Sequence, residues 1–166
     1  MKQFLLALLL AAPMLFSSCS KEETTISGII DTIEYGKRLP VSSSDLIKYE
    51  ILRNLTDGKY QYIVFKNNVA GVLITDLNNV PVAYSYCTQW GVSNNTLTMV
   101  IDKGATRTFE ISKEYTKTSG NTHALTVYLK ESDGKEYAYD CVENGTNSAF
   151  AAAIWNTINE IRSSNQ

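Results

Sequence analysis

The side chains with the most evident chemistry in this 166-residue chain are three cysteines and one histidine. A thiol beside an imidazole can act as a nucleophile, because the imidazole stabilises the thiolate. Cys87 and His123 are the residues that could form such a dyad. The residues around Cys87 match no cysteine-protease motif, however, and Cys141 competes as a partner for the same sulfur. The sequence therefore predicts no catalytic residues, and we expect the protein not to be an enzyme.

Residue spacing gives little support to a metal site. Zinc sites need clustered cysteine and histidine ligands, and here two scattered cysteines accompany one histidine. Residues 76–79 are faintly like the start of a calcium loop, but the glycine and the closing glutamate of such a loop are missing. A turn explains this stretch more simply. We expect neither a bound metal nor another cofactor.

Cys87 and Cys141 could be joined by a disulfide if the protein lies outside the cytoplasm. Each cysteine follows a tyrosine-rich stretch with the pattern of a β-strand. If the two strands are neighbours, closing a loop of about 55 residues would stabilise the fold by roughly 3–4 kcal/mol. Two buried thiols that act as small apolar residues are the alternative.

Cys19 has a different setting, at the end of an apolar leader. Lys2 supplies one positive charge, an apolar run spans residues 4–16, and two serines precede the cysteine. The run is shorter than the roughly 20 residues that a transmembrane helix needs. The pattern is typical of a secretory signal peptide. Residues 15–19, Leu-Phe-Ser-Ser-Cys, resemble the lipobox of bacterial lipoproteins.

This resemblance implies that residues 1–18 are a signal peptide and that Cys19 carries the lipid. Acyl chains such as palmitate each contribute about 0.8 kcal/mol per buried methylene, so two or three chains give a stable membrane anchor. Lys21, Glu22 and Glu23 resemble the surface-export tag that follows the lipidated cysteine in lipoproteins of Bacteroidota. The resemblance implies an outer-membrane lipoprotein that faces outward, with a periplasm-facing orientation as the alternative.

A further resemblance concerns modification of the same exported chain. Asp31-Thr32-Ile33 is similar to the tripeptide at which Bacteroidota O-glycosylate exported proteins. Thr32 is therefore a candidate glycosylation site.

The remaining chain has the length of a single domain. We assign residues 19–25 to a lipidated tether and residues 26–166 to one domain, which is long enough to bury a core. The formal net charge is −2. This weak acidity argues against a nucleic-acid partner, which would require clustered lysine and arginine.

Turn signals divide the domain into short strands. Asp-Gly, Asn-Asn and Lys-Gly pairs separate segments that are rich in β-branched and aromatic residues. Short loops between successive strands require antiparallel pairing. The predicted strands span residues 60–65, 69–75, 80–87, 96–102, 106–112, 124–130 and 135–142.

The C-terminal segment predicts an amphipathic helix. Phe150, Ile154, Ile158 and Ile161 follow one another at spacings of four, four and three residues, with Trp155 at the margin of this stripe. One apolar face of the helix should therefore pack against the sheet.

The predicted fold is α+β, an antiparallel sheet of about seven or eight strands packed by the C-terminal helix. Residues 44–55 fit either a helix that begins at serine caps or a strand, and we slightly favour the helix. An eight-stranded, lipocalin-like up-and-down barrel is the alternative fold. The Gly-x-Trp stretch expected on the first strand of that family is missing from residues 26–34.

Tyr84, Tyr86 and Trp90 are candidate ligand-binding aromatics. Aromatic rings near amide side chains suit carbohydrate, because sugar C–H faces stack on rings while hydroxyls need polar partners. Residues two apart on a strand share a face, so Tyr84 and Tyr86 should point the same way. The alternative is that these rings form cross-strand pairs or part of the core.

We interpret the protein as a small, non-enzymatic cell-envelope lipoprotein that acts as a binding or accessory module for a glycan or a surface protein. A lipocalin-like carrier of a small apolar ligand and an envelope structural protein are the alternatives. A closed apolar cavity would favour the carrier, and an exposed aromatic row would favour the glycan. A flat apolar patch or an open strand edge would favour a protein partner.

Overall fold

The computed structural model describes residues 33–119, 123–141 and 148–165. Within these ranges the chain forms two helices and eight strands, all of them in the unit that spans residues 35–166. In chain order the elements are α1 (Ser43–Tyr49), β1 (Ile51–Thr56), β2 (Lys59–Phe65), β3 (Ala70–Thr75), β4 (Pro81–Ser93), β5 (Thr96–Ile101), β6 (Thr106–Lys117), β7 (His123–Lys130), β8 (Glu136–Cys141) and α2 (Ser148–Ser164).

The eight strands form a closed antiparallel barrel in which each strand pairs with the next along the chain. Short turns impose this order, because antiparallel neighbours need only a few connecting residues. The barrel closes where Leu52 and Arg53 on β1 pair with Cys141 and Asp140 on β8. The predicted sheet with a C-terminal helix is confirmed, and the sheet takes the form of the up-and-down barrel.

Alternating side chains on the strands point into the barrel and form its core. An eight-stranded barrel is narrow enough for side chains to fill most of its interior. Phe65 and Trp90 meet edge to face near the α1 end, with ring centroids 4.7 Å apart. The other buried strand residues of this core are Leu52, Ile63, Ala70, Cys87, Leu97, Met99, Phe109, Ile111, Leu125, Val127, Leu129, Tyr139 and Cys141.

Helix α1 closes one end of the barrel. Ser42 caps the helix reciprocally with Asp45, since each side chain accepts a hydrogen bond from the backbone N–H of the other residue. Leu46 and Tyr49 are 0% and 2% exposed and join the interior core. The helix ends at Glu50, whose φ is 61°, and β1 begins at the next residue. Residues 44–55 therefore contain both a helix and a strand, the two structures that the sequence pattern allowed.

Asp45 also links α1 to the barrel wall, because its carboxylate lies 3.1 Å from Nζ of Lys113 on β6. Burial alone would raise the pKa of Asp45, but hydrogen bonds from Ser42 and the Lys113 ammonium hold the pKa below its ordinary value of 3.8. A carboxyl whose pKa is lower in the folded state stabilises the fold above its unfolded-state pKa. That stabilisation is lost as the pH falls through the folded-state pKa.

We expect acid to destabilise the wild-type chain more steeply than Asp45→Asn at pH values below about 4. At neutral pH the variant should lose about 1 kcal/mol of unfolding free energy, because the asparagine amide can still accept from Ser42 but loses the charge pairing with Lys113. Urea denaturation at a series of pH values measures both effects. Identical pH dependence in the two proteins would contradict this prediction.

Helix α2 packs on the outer face of β2, β3 and β4. Its buried residues Ala151, Ile154 and Ile158 form a second apolar cluster with outward-facing residues of the barrel. Gly71 on β3 makes this close approach possible, since a Cβ at that position would lie 2.7 Å from Cδ1 of Ile158. The predicted apolar stripe thus packs on the sheet, except that Phe150 is 43% exposed.

The segment before α1 runs along the outer wall of the barrel, beside β6. Tyr35 pairs with Tyr115 and Leu39 pairs with Lys113, along the part of β6 that extends beyond its pairing with β5. The guanidinium of Arg38 lies 3.0 Å from the ring centroid of Tyr128 on β7. Arg38 also pairs with Glu136 on β8, 3.1 Å away, so this segment is held against the barrel wall.

Candidate functional site

A cavity of about 140 Å³ lies inside the barrel, toward the end opposite α1. The residues that line it come from β2, β3, β4, β5, β6 and β8. Its apolar lining consists of Ile63, Val72, Ile74, Cys87, Met99, Ile101 and Phe109. Its polar lining consists of Gln61, Ser85, Arg107, Tyr137 and Tyr139.

The two-residue period of the strands explains why these side chains share one space. Gln61 and Ile63 on β2 are two residues apart, as are Arg107 and Phe109 on β6, so each pair faces the interior. Neither Gln61 nor Arg107 was among the residues predicted to bind a ligand. The two-residue spacing on β6 could have identified Arg107, because residues 107, 109 and 111 share one face of the strand and Phe109 and Ile111 point into the barrel.

The polar lining forms two small networks at this end of the barrel. The hydroxyl of Tyr139 donates to Oε1 of Gln61 at 3.0 Å. Burial raises the pKa of Tyr139, so its hydroxyl remains a donor at neutral pH. The guanidinium of Arg107 donates to Oε1 of Glu131. The hydroxyl of Tyr137 lies 3.5 Å from the other oxygen of that carboxylate.

The cavity volume limits what could occupy it. Sites for drug-sized ligands usually measure about 300–1,000 Å³. A volume of about 140 Å³ is instead close to the dry cavity of roughly 150 Å³ that accepts benzene in an engineered protein. The cavity therefore suits an apolar group of about six to eight heavy atoms.

A larger concavity of about 320 Å³ lies on the outer face of the β4–β5 hairpin. Gln89, Ser93, Thr96 and Thr98 are among the residues that line it. This concavity is open to water, so a ligand bound there would bury little of its surface against the protein. We therefore place the candidate site in the barrel interior.

The three aromatic residues predicted to bind a ligand do not share one surface. Tyr84 and Tyr86 do face the same way, and both are half-buried beside α2 on the outside of the barrel. The ring of Tyr86 lies 5.8 Å from that of Trp155. A β-bulge between Cys87 and Gln89 reverses the facing of the next residues, so Trp90 points into the barrel.

Trp90 is part of the core, 9% exposed, and its indole N–H donates to backbone oxygens of Lys66 and Val69 at 2.8 and 3.0 Å. Its position matches the alternative that these rings pack in the core. The arrangement does not present a glycan with one exposed aromatic row.

The two cysteines of the described chain are buried thiols in this structure. Cys87 lies on β4 and Cys141 on β8, and three strands separate them in either direction around the barrel. Opposite walls of such a barrel stand roughly 12–15 Å apart, whereas a disulfide needs Cα atoms within about 7 Å. The predicted disulfide required the two strands to be neighbours. Because they are not, the structure favours the alternative of two buried thiols.

We expect the intact mass of the chain to show no Cys87–Cys141 bond. Burial raises the pKa of the Cys87 thiol to about 11, although Arg107 opposes this effect, so the thiol is a weak nucleophile in the folded protein. Iodoacetamide should therefore label both thiols only after unfolding. An increase in mass on reduction, assigned to Cys87 and Cys141 by peptide mapping, would contradict this prediction.

The remaining sequence predictions concern residues outside the described ranges. Lipidation of Cys19, the export tag Lys21, Glu22 and Glu23, and glycosylation of Thr32 all stay predictions. In the described part of the chain neither helix is long and apolar enough to cross a membrane. The same residues contain no group of three His, Cys, Asp or Glu side chains that could hold a metal ion.

No family model matches the chain, and neither a curated protein nor a solved structure is significantly similar to it.

Proposed function

We propose that this protein is a non-enzymatic cell-envelope lipoprotein whose barrel binds a small apolar ligand. The observation that carries the proposal is the cavity inside the barrel at the end opposite α1, where seven of the twelve lining residues are apolar. The lipid anchor at Cys19 is the sequence-derived part of the proposal. Of the functions considered from the sequence, the lipocalin-like carrier is therefore the one that the site favours.

The size of the cavity predicts a weak to moderate affinity. Burying about six methylene-sized groups contributes roughly 5 kcal/mol, and part of this is lost to the cost of association. A dissociation constant near 1 mM corresponds to about 4 kcal/mol. Binding should therefore be measured by NMR titration, which detects complexes in this range.

Val72→Phe should reduce binding at least tenfold, because the larger ring would occupy the cavity. The probe is toluene, titrated into the full chain while methyl resonances of Ile63, Ile74 and Met99 are followed. Ile101→Trp is a second blocking variant, in case the first fails to fold. Thr98→Phe is the matched control, since residue 98 lies on the outer face of β5.

We expect toluene to shift the cavity methyl resonances of the wild type and of Thr98→Phe. The two blocking variants should keep folded spectra and lose these shifts. Absence of shifts in the wild type, or equal affinity in a folded blocking variant, would refute the proposed function.

A further inference from the structure

Two of the polar side chains that line the cavity, those of Gln61 and Arg107, can offer hydrogen-bond donors to a ligand. The amide oxygen of Gln61 already accepts from Tyr139, which leaves the amide NH₂ to meet a ligand. Arg107 has five N–H donors and no acceptor, and one of its terminal nitrogens donates to Glu131. The polar end of a ligand that contacts Gln61 and Arg107 should therefore accept hydrogen bonds.

The charge of the cavity lining also favours a ligand with a hydrogen-bond-accepting, negatively charged end. Among the side chains that line the cavity in the described structure, Arg107 is the one that carries a full charge. Its counter-ion Glu131 lies at the rim, and the two side chains are 51% and 22% exposed. An ion pair this accessible to water contributes little to stability, so another carboxylate can replace Glu131 at low cost.

The surroundings of Glu131 make that replacement easier. The hydroxyl of Tyr137 lies 3.5 Å from its second oxygen, so Glu131 keeps a neighbouring donor when Arg107 turns to a ligand. Lys135 lies 4.9 Å from the centroid of the Tyr137 ring and adds a second positive charge at this rim. An arginine that is released toward the cavity can bind a carboxylate through two parallel hydrogen bonds.

We propose that the ligand is a small monocarboxylate of about six carbon atoms, with its alkyl chain inside the barrel and its carboxylate on Arg107 at the rim. This inference rests on the proposed function, because it assumes that the cavity is the binding site. An amine of the same length would meet the guanidinium with like charge. A neutral amide would use the donors of the rim but gain no charge pairing.

Hexanoate, hexanamide and hexylamine test this inference, because they combine similar apolar chains with different polar ends. We expect the full chain at pH 7 to bind hexanoate at least tenfold more tightly than hexylamine, and several-fold more tightly than hexanamide. Arg107→Met should remove this preference. Glu131→Gln should strengthen hexanoate binding several-fold, because it removes a competing negative charge, and should leave hexanamide binding unchanged.

Arg53→Met is the matched control. Arg53 is an outward-facing arginine of β1, 53% exposed and 3.5 Å from Asp140, so its loss changes the net charge equally without altering the cavity. Its affinity for hexanoate should equal that of the wild type. An equal loss in Arg53→Met and Arg107→Met would overturn the inference, because the effect would then be one of net charge.

The outcomes separate this inference from the function on which it rests. If hexanamide or hexylamine shifts the cavity methyl resonances at the same or lower concentration than hexanoate, the carboxylate inference is wrong and the carrier function stands. If none of the three compounds shifts these resonances, the proposed function itself fails.

Discussion

Replacing Phe65 by alanine should lower the free energy of unfolding by about 4 kcal/mol. Phe65 is 1% exposed inside the barrel, and its ring packs edge to face against Trp90. The hydrogen-bonded walls around it cannot collapse into the space that the ring would leave, so the cost of a cavity adds to the lost burial. Urea denaturation followed by circular dichroism measures the change.

Phe150→Ala is the matched control for this prediction. Phe150 is also a phenylalanine in an edge-to-face pair, with its centroid 5.4 Å from that of Tyr62, but it is 43% exposed on α2. Its removal should cost less than about 1 kcal/mol, since the truncated site remains open to water. Equal losses in the two variants would contradict the position of Phe65 in a closed interior.

The Gly71→Leu substitution should displace α2 from the barrel and cost about 3 kcal/mol. A Cβ at this position would lie 2.7 Å from Ile158 and 3.2 Å from Trp155, and leucine adds further carbon atoms in the same direction. Ile158 is fully buried, so moving its terminal methyl group would disturb the packed cluster around it. The melting temperature should fall by roughly 6–12 °C in a chain of this size.

Gly91→Leu tests whether this effect depends on the helix. Gly91 is also a strand glycine, on β4, and a Cβ there would have no heavy atom within 4 Å. Its substitution should change the melting temperature little. Hydrogen exchange provides a second measurement, because α2 should lose protection in Gly71→Leu alone. Retained protection of α2 in that variant would refute the prediction.

Most elements of the fold could be predicted from the sequence, because their signals are local. Turn pairs such as Asp57-Gly58 and Asn94-Asn95 mark hairpins, and these turns adopt positive φ in the structure. The spacing of Ile154, Ile158 and Ile161 predicted α2 for the same reason, since neighbours at three and four residues share a helix face. Antiparallel order followed from the short connections.

The facing of individual side chains depended on features that no local pattern reveals. One bulge between Cys87 and Gln89 separates Trp90 from Tyr84 and Tyr86, although even spacing would have placed the three on one face. Residues 44–55 fitted both helix and strand because the chain changes from one to the other at Glu50. That change depends on α1 packing into the end of the barrel.

The sequence by itself determined seven of the eight strands, their antiparallel order and the C-terminal helix, because each depends on residues close together in the chain. Only the tertiary structure decided that the sheet closes, that Cys87 and Cys141 lie on opposite walls, and that Arg107 lines a cavity inside the barrel. Closure depends on the accumulated twist and stagger of all eight strands. A cavity is the space between walls that are distant in sequence, so no single segment encodes it.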